Sequence, residues 1–253
     1  MRNLFTSAGK RALAAVLRAQ PLLAFDFDGT LAPIVERPDA ARVAPGVSQR
    51  LDRLARLRPV AVVTGRSVAD VTQRLGFAPQ FIVGNHGAEE PGRACGLDPA
   101  RLDGLRARLA THADALQAAG VQLEDKVLSL ALHYRLARDR PRALAGIDAL
   151  LAGLEPQLRR FGGKCVVNVV LAEAPDKADA VVSLVQRTGC GSAVFIGDDV
   201  NDEEVFARAA PAWLTVRVGR GGPRSRAAYF LQSHSDMEAL LESMLGLLQG
   251  ASG

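Results

Sequence analysis

An α/β fold with a doubly wound, mainly parallel sheet is what this 253-residue sequence predicts, and three observations predict it. Short runs that are apolar on both faces alternate with helix-patterned segments over the first two-fifths of the chain, as expected of parallel strands covered by helices on both sides. The rhythm changes near Gly92, where a helix, two short strands, a helix and a strand take over, and it returns after Pro175. The apolar runs end in polar residues, and open parallel sheets bind ligands at the carboxyl ends of their strands. A Rossmann-like core built from two segments, 1–92 and 174–253, with a smaller inserted α+β domain over 93–173, accounts for all three.

Ser7–Ala19 reads as a short amphipathic helix, and LLAF (22–25) as the first buried strand. VSQRLDRLARL (47–57) spaces its apolar residues as a helix does. VAVV (60–63) is a second strand, VADVTQRL (68–75) a helix stopped by Gly76, and FIV (81–83) a third strand. Asp98-Pro99 has the form of an N-cap followed by proline at the first helical position, opening a helix to about Ala119. Residues 121–135 read as two strands around a turn at Asp125–Lys126, the second setting Leu128, Leu130 and Leu132 against Ser129, Ala131 and His133. A helix is expected from about Pro141 to Arg160, then a strand over 165–170. KADAVVSLVQRTG is a helix, AVFI (193–196) a buried strand, DVNDEEVFARA a helix with an acidic first turn, AWLTVRVG (212–219) a strand, and DMEALLESMLGLL a closing helix.

Composition narrows the classes of function. Hydrophobic residues make up 48%, enough for a real core, whereas aromatics are only 5%, so that core is mainly Leu, Val and Ala. The net charge is +4 and the pI near 9.3, but basic and acidic residues are interspersed with no run of like charge. That is a solvated surface suited to a small anionic substrate rather than to nucleic acid. Only four of the 31 basic residues are lysine, so Lys126 and Lys177 draw notice where they occur in motifs. Three dispersed cysteines give no disulfide framework or zinc pattern. The N-terminal apolar stretch, ALAAVL, is too short for a signal-peptide core, and no stretch approaches the ~20 apolar residues of a membrane span. A cytoplasmic protein is expected, a monomer by default.

The chemistry lies at the strand ends. Asp26 and Asp28 follow the first strand in PLLAFDFDGTLAP (21–33), and burying a carboxylate without a partner costs several kcal/mol. Thr64 follows the second strand, Asn85 and His86 the third, and Asp198 and Asp199 follow AVFIG. Several carboxylates meeting at one point need a cation, and oxygen donors with no His or Cys cluster select Mg²⁺. Taken singly, Thr64 could be a turn residue, Lys177 a solvated helix residue, and Asp199 and Asp202 ordinary acidic residues at a helix start.

Four motifs together resemble the haloacid dehalogenase-like phosphohydrolases: DFDGT, Thr64 in VVTGRS, Lys177, and GDDVND (197–202). The resemblance implies an aspartyl-phosphate mechanism. Asp26 would be the nucleophile and Asp28 the acid and then base. Thr64 would hydrogen-bond a phosphoryl oxygen, and Lys177 would neutralise charge on the phosphate and on Asp26. Mg²⁺ would sit on Asp26, the backbone carbonyl of Asp28, and Asp198, with Asp199 and Asp202 behind them. It also implies that the insert is a cap domain over the site. DFDGTLAPIVERPDAARV (26–43), GNHGAE (84–89), LEDKVLSLALHYR (123–135), GKCVV (163–167) and VGRGGPRSRAAYFL (218–231) narrow the likeness to the trehalose-6-phosphate phosphatases, covering nearly the whole chain from Leu22. That family implies a sugar-phosphate substrate, with Glu124 and Lys126 on sugar hydroxyls. His133 and Arg135 match its cap-strand positions, and Gly65, Arg66, His86 and Asn168 join the expected substrate-binding set. By patterning alone, Glu124 and Lys126 are a solvated hairpin turn. The chain departs from the family in having Asn168 where a cap Glu is usual and Ala178 after Lys177 where Gly is usual. Another sugar phosphate, such as sucrose 6-phosphate or mannosyl-3-phosphoglycerate, is therefore an alternative substrate. A non-catalytic sugar-phosphate sensor is disfavoured because both Asp26 and Asp28 are present.

Overall fold

The structure is a computed structural model that describes residues 1–35, 37–154, 156–220 and 225–250, so parts of the segments 26–43 and 218–231 lie outside the described residues. The chain divides into two compact units, Met1–Pro91 with Pro175–Gly253, and Gly92–Ala174.

The first segment of the larger unit carries β1 (Arg2–Asn3), α1 (Ser7–Arg18), β2 (Leu22–Phe25), α2 (Pro45–Ala55), β3 (Val60–Val63), α3 (Val68–Leu75) and β4 (Phe81–Val83). Their ends have local causes. The Thr6 hydroxyl accepts from the N–H of Gly9 and caps α1, Pro45 starts α2, and α3 runs from a Ser67 cap to Gly76 in the left-handed region at φ 68. The smaller unit carries α4 (Asp103–Ala110), α5 (Ala113–Ala118), β5 (Gln122–Asp125), β6 (Ser129–His133), α6 (Arg140–Leu150), β7 (Leu158–Gly163) and β8 (Val166–Leu171). The chain then returns with α7 (Lys177–Thr188), β9 (Ala193–Gly197), α8 (Glu203–Arg208), β10 (Leu214–Val218), β11 (Tyr229–Leu231) and α9 (Met237–Gln249).

In the larger unit a seven-stranded sheet has the order β1-β11-β10-β9-β2-β3-β4, every pair parallel. Alternate residues of each strand serve opposite faces. Leu23, Phe25, Val62, Val194, Ile196 and Val216 join one core with residues of α1, α2, α3 and α9. Leu22, Ala24, Ala61, Val63 and Phe195 join a second core with residues of α7 and α8. Burial on both faces explains why these strands read as continuous apolar runs. The sheet is longer than the sequence suggests: β1 and β11 are three residues or fewer, too short to show a period.

In the smaller unit a four-stranded antiparallel sheet has the order β5-β6-β8-β7. Leu130, Leu132, Val167, Val169 and Leu171 pack with Leu105, Leu109, Leu116 and Ile147 of the helices. The helix expected to Ala119 breaks between α4 and α5, where the Thr111 hydroxyl and the His112 ring both bond the carbonyl of Arg108 and His112 leaves helical geometry. The helix expected to Arg160 ends at Leu150, and residues 158–163 form a strand instead. Gly153, at φ 66, helps turn the chain, and the β-alternation of Leu158 and Arg160 against Arg159 and Phe161 is masked by its arginines. The hairpin turn occupies Lys126–Leu128 rather than Asp125–Lys126.

Candidate active site

The site in the larger unit is built from strand ends and the start of α7. Leu22 and Ala24 face the α7 side of the sheet. The two-residue period carries Asp26 the same way. There Lys177, the first residue of α7, places Nζ 2.7 Å from Asp26 Oδ1 and 2.7 Å from Asp202 Oδ1. The Lys177 side chain is only 2% exposed. An Asp176/Asp179 capping box fixes the helix start that aims it.

Asp202 is committed on both oxygens. Oδ1 accepts from Lys177, and Oδ2 accepts from the backbone N–H groups of Asp198 (2.8 Å) and Asp199 (2.9 Å). It thus folds the turn after β9 back beneath the lysine. Gly197 makes this possible, because a Cβ there would lie 2.4 Å from Asp202 Cγ. Asp199 Oδ1 accepts from the N–H of Val200, starting the turn that leads into α8.

Asp26, Asp198 and Asp202 are buried, each with a ligand oxygen within 4.8 Å of the others. Burial pushes the Asp26 carboxyl well above its usual range; Lys177 pulls it down, and the charges of Asp202 and Asp198 push it up again. One ammonium does not neutralise three carboxylates. With Asp202 spent on the lysine and the backbone, Asp26 and Asp198 are the pair suited to a cation, and an all-oxygen set fits Mg²⁺. Gly29 leaves the room: a Cβ there would stand 1.9 Å from Asp198 Oδ2, and its φ is 83. From β10, Arg217 donates to the Asp198 carbonyl at 2.8 Å and to Glu203 Oε1 at 2.6 Å, pinning the turn.

Asp28 and Asp26 do not share a partner. Arg66 holds Asp28 in a two-pronged grip, Nε to Oδ2 and Nη2 to Oδ1, both 2.7 Å. The same guanidinium reaches Asp70 Oδ2 and the Pro38 carbonyl and lies over the Phe27 ring. Nε, Nη1 and Nη2 thus each bond a protein group. Thr64 is buried at the end of β3, its hydroxyl accepting from the N–H of Arg66. Asn85 and His86 both have positive φ, 48 and 59. Their N–H groups donate to the carbonyls of Arg66 and Thr64, and Glu89 holds the Asn85 amide at 2.7 Å. Such backbone strain persists only where the surroundings over-determine it. His86 rests on Gly65, where a Cβ would meet its ring at 2.3 Å, and its Nδ1 is 3.2 Å from Asn201 Nδ2.

In the smaller unit, Glu124 Oε2 accepts from His133 Nε2 at 2.8 Å, with Lys126 Nζ at 3.5 Å. Burial pushes the Glu124 carboxyl up, but the His133 hydrogen bond and the Lys126 charge outweigh it, leaving the group below its ordinary range. Asn168 is buried in the same cross-strand row, with Ala131 between it and Glu124. Arg135 is set apart, donating to the Lys164 carbonyl.

Sequence reading did not single out Arg217, Asn201, Asp70 or Gly29 for these roles. Arg217 carried a visible signal: it is the one charge inside the apolar run LTVRV.

The family model described as trehalose-phosphatase matches residues 24–235. A trehalose-phosphate phosphatase of Mycolicibacterium paratuberculosis is 36% identical over 254 residues, covering 92% of this chain, which spans 64% of that relative. Among solved structures, the C-terminal domain of the C. albicans trehalose-6-phosphate phosphatase has a TM-score of 0.78 at 20% identity, with 94% of this chain and 96% of that one covered. A trehalose-6-phosphate phosphatase related protein has a TM-score of 0.73 at 23% identity, with 90% and 99% covered. These two likenesses are of fold. With a family model that takes in most of both segments of the larger unit and the whole of the smaller one, the chain belongs to the trehalose-phosphatase family.

Proposed function

We propose that the protein is an Mg²⁺-dependent phosphatase that hydrolyses trehalose 6-phosphate to trehalose and phosphate. The observation that carries the reading is the buried set of Asp26, Lys177, Asp198 and Asp202, combined with membership of the family. The larger unit is the hydrolase core and the smaller one the cap.

Asp26 attacks phosphorus while Lys177 holds its Oδ1 and balances charge on the phosphoryl group. The Asp26 carboxylate forms a bond to phosphorus as the bond from phosphorus to the sugar oxygen breaks. Asp28 gives that oxygen a proton, and then takes one from the water that hydrolyses the aspartyl-phosphate. To do so it turns out of the Arg66 fork, so Arg66 is a holder of Asp28 in this conformation. Thr64 and the turn at Gly65 contact phosphoryl oxygens. Asp26, the Asp28 carbonyl and Asp198 would hold Mg²⁺, which would supply charge neutralisation to the phosphoryl group. Glu124, Lys126 and His133 read the sugar hydroxyls, whose loss from an analogue would leave these groups unpaired.

Asn168 favours a second reading, another disaccharide or sugar-acid phosphate, because a neutral amide replaces the usual carboxylate of the family. A cytoplasmic setting belongs to the proposal, as three free cysteines suit a reducing compartment. Among the described residues no helix is long and apolar enough to cross a membrane.

The test is phosphate release across trehalose 6-phosphate, sucrose 6-phosphate, mannosyl-3-phosphoglycerate and an aryl phosphate, with and without Mg²⁺. Trehalose 6-phosphate is expected to lead. A lead of about tenfold by another sugar phosphate would move the assignment to that substrate.

A further inference from the structure

We propose that Arg106, on α4, is a positioning residue for sugar recognition, holding the β5–β6 turn in a strained form that presents Glu124 and Lys126. The inference rests on the trehalose-phosphate reading above, in which those two residues meet the sugar.

Val127, at the tip of the turn, has φ 70. The N–H of Leu128 donates to the carbonyl of Lys126 across it at 2.8 Å. An i→i+2 bond around a residue of positive φ is the rare, strained kind of γ-turn. A β-branched residue in that region is a genuine outlier. Val127 is also 60% exposed, so core packing does not force it there.

Hydrogen bonding holds the turn: the N–H of Lys126 donates to the Ser129 carbonyl at 2.9 Å, and Arg106 adds three bonds of its own. Its Nε donates to Asp125 Oδ2 at 2.7 Å, and Nη2 donates to Asp125 Oδ1 at 3.1 Å and to the Val127 carbonyl at 2.7 Å. Nη1 anchors the fork to its own helix start through the Pro99 carbonyl and Asp103, at 2.7 and 2.8 Å. Asp125 closes the arrangement by accepting the N–H of Val127 at 2.8 Å.

The placement has a consequence for recognition. Successive side chains of a strand point to opposite faces. Asp125 faces α4, where Arg106 grips it, so its neighbour Glu124 is turned to the other face, where it meets His133. Beyond the strand end the tight turn brings Lys126 back over that same face, Nζ 3.5 Å from Glu124 Oε2. Arg106 thus sets the sugar-reading pair from behind without touching it. Lysine could not substitute, having one ammonium where a planar fork spans two carboxylates and two carbonyls.

Three variants test this: Arg106→Lys, Val127→Gly and the pair combined. Two readouts are used: amide hydrogen exchange at Lys126 and Leu128, and the ratio of kcat/KM for trehalose 6-phosphate to that for p-nitrophenyl phosphate. Arg106→Lys should speed exchange at Leu128 and lower the ratio, each by about tenfold and the latter through KM, with p-nitrophenyl phosphate turnover unchanged. Val127→Gly alone should leave both readouts near their original values. In the double variant glycine adopts positive φ without the clamp, so at least half of the lost ratio, on a logarithmic scale, should return. Unchanged exchange in Arg106→Lys, a double variant no better than Arg106→Lys, or equal losses on both substrates would overturn the proposal. Failure of the functional reading is distinguishable: it shows as no preference for trehalose 6-phosphate in the unmodified protein, and exchange alone then decides whether Arg106 clamps the turn.

Discussion

In the larger unit Lys177 and Asp202 have side chains 2% and 0% exposed, and Asp26 is nearly as hidden; in the smaller unit Glu124 keeps 44% of its side chain in solvent. The two units treat charge differently. The buried cluster is closed by bonds that specify one another: Lys177 to two carboxylates, Asp202 to two backbone N–H groups, and glycines at 29 and 197 where no side chain fits. A single change there leaves an uncompensated buried charge. The hairpin group is assembled on one sheet face and a turn, with the side chains of Lys126 8% and Glu124 44% exposed. Under the proposed function this difference divides the work: the core cluster would serve chemistry common to any phosphate ester, and the hairpin group recognition of one.

The sharpest way to break that comparison is Asp26→Asn. It should abolish turnover of sugar and aryl phosphates alike, by at least about 10³-fold or roughly 4 kcal/mol of barrier, while circular dichroism and Tm show a folded protein. Near-normal phosphate release would remove the covalent step. Chelation should likewise remove activity on every substrate, with Mg²⁺ restoring it, and Asp198→Ala should resist rescue at ordinary Mg²⁺ concentrations. Full activity after exhaustive chelation would separate the cluster from metal chemistry.

Lys177→Met probes the same cluster through stability. Two buried carboxylates lose their cation, and urea unfolding should show a loss of about 3–5 kcal/mol. Added Mg²⁺ should recover part of it, since a dication bound to the folded protein stabilises it by mass action.

The cap variants should be smaller and selective. Glu124→Gln removes a charge-assisted hydrogen bond worth about 1.5–3 kcal/mol, so kcat/KM for trehalose 6-phosphate should fall between about tenfold and a hundredfold, mainly through KM. Asn168→Glu should raise it by about 1 kcal/mol, less than tenfold, with little change for an aryl phosphate. An equal change on both substrates would show that residue 168 does not read the sugar.

Much of the larger unit was legible because its signals are local and mutually consistent. LLAF, VAVV and AVFI are strands of the sheet, and the motif residues Asp26, Thr64 and Asp198 follow strand ends. What stayed hidden depends on tertiary partners. The pairing of Asp28 with Arg66 spans 38 residues, and nothing in DFDGT distinguishes a carboxylate facing phosphate from one held by a guanidinium. The first half of β7, 158–160, reads as the end of a helix because Arg159 and Arg160 carry no hydrophobic period, and only pairing with β8 makes the segment a strand. The positive φ of Val127 lies against residue preference, so a propensity reading places the turn one residue early.

The most direct test of the division between chemistry and recognition is one comparison of specificity. It sets kcat/KM for trehalose 6-phosphate against kcat/KM for p-nitrophenyl phosphate in the unmodified protein and in a Glu124→Gln, Lys126→Met double variant. The account predicts a fall of more than about tenfold for the sugar phosphate and a change within about twofold for the aryl phosphate. Equal falls on the two substrates, or none on either, would contradict it.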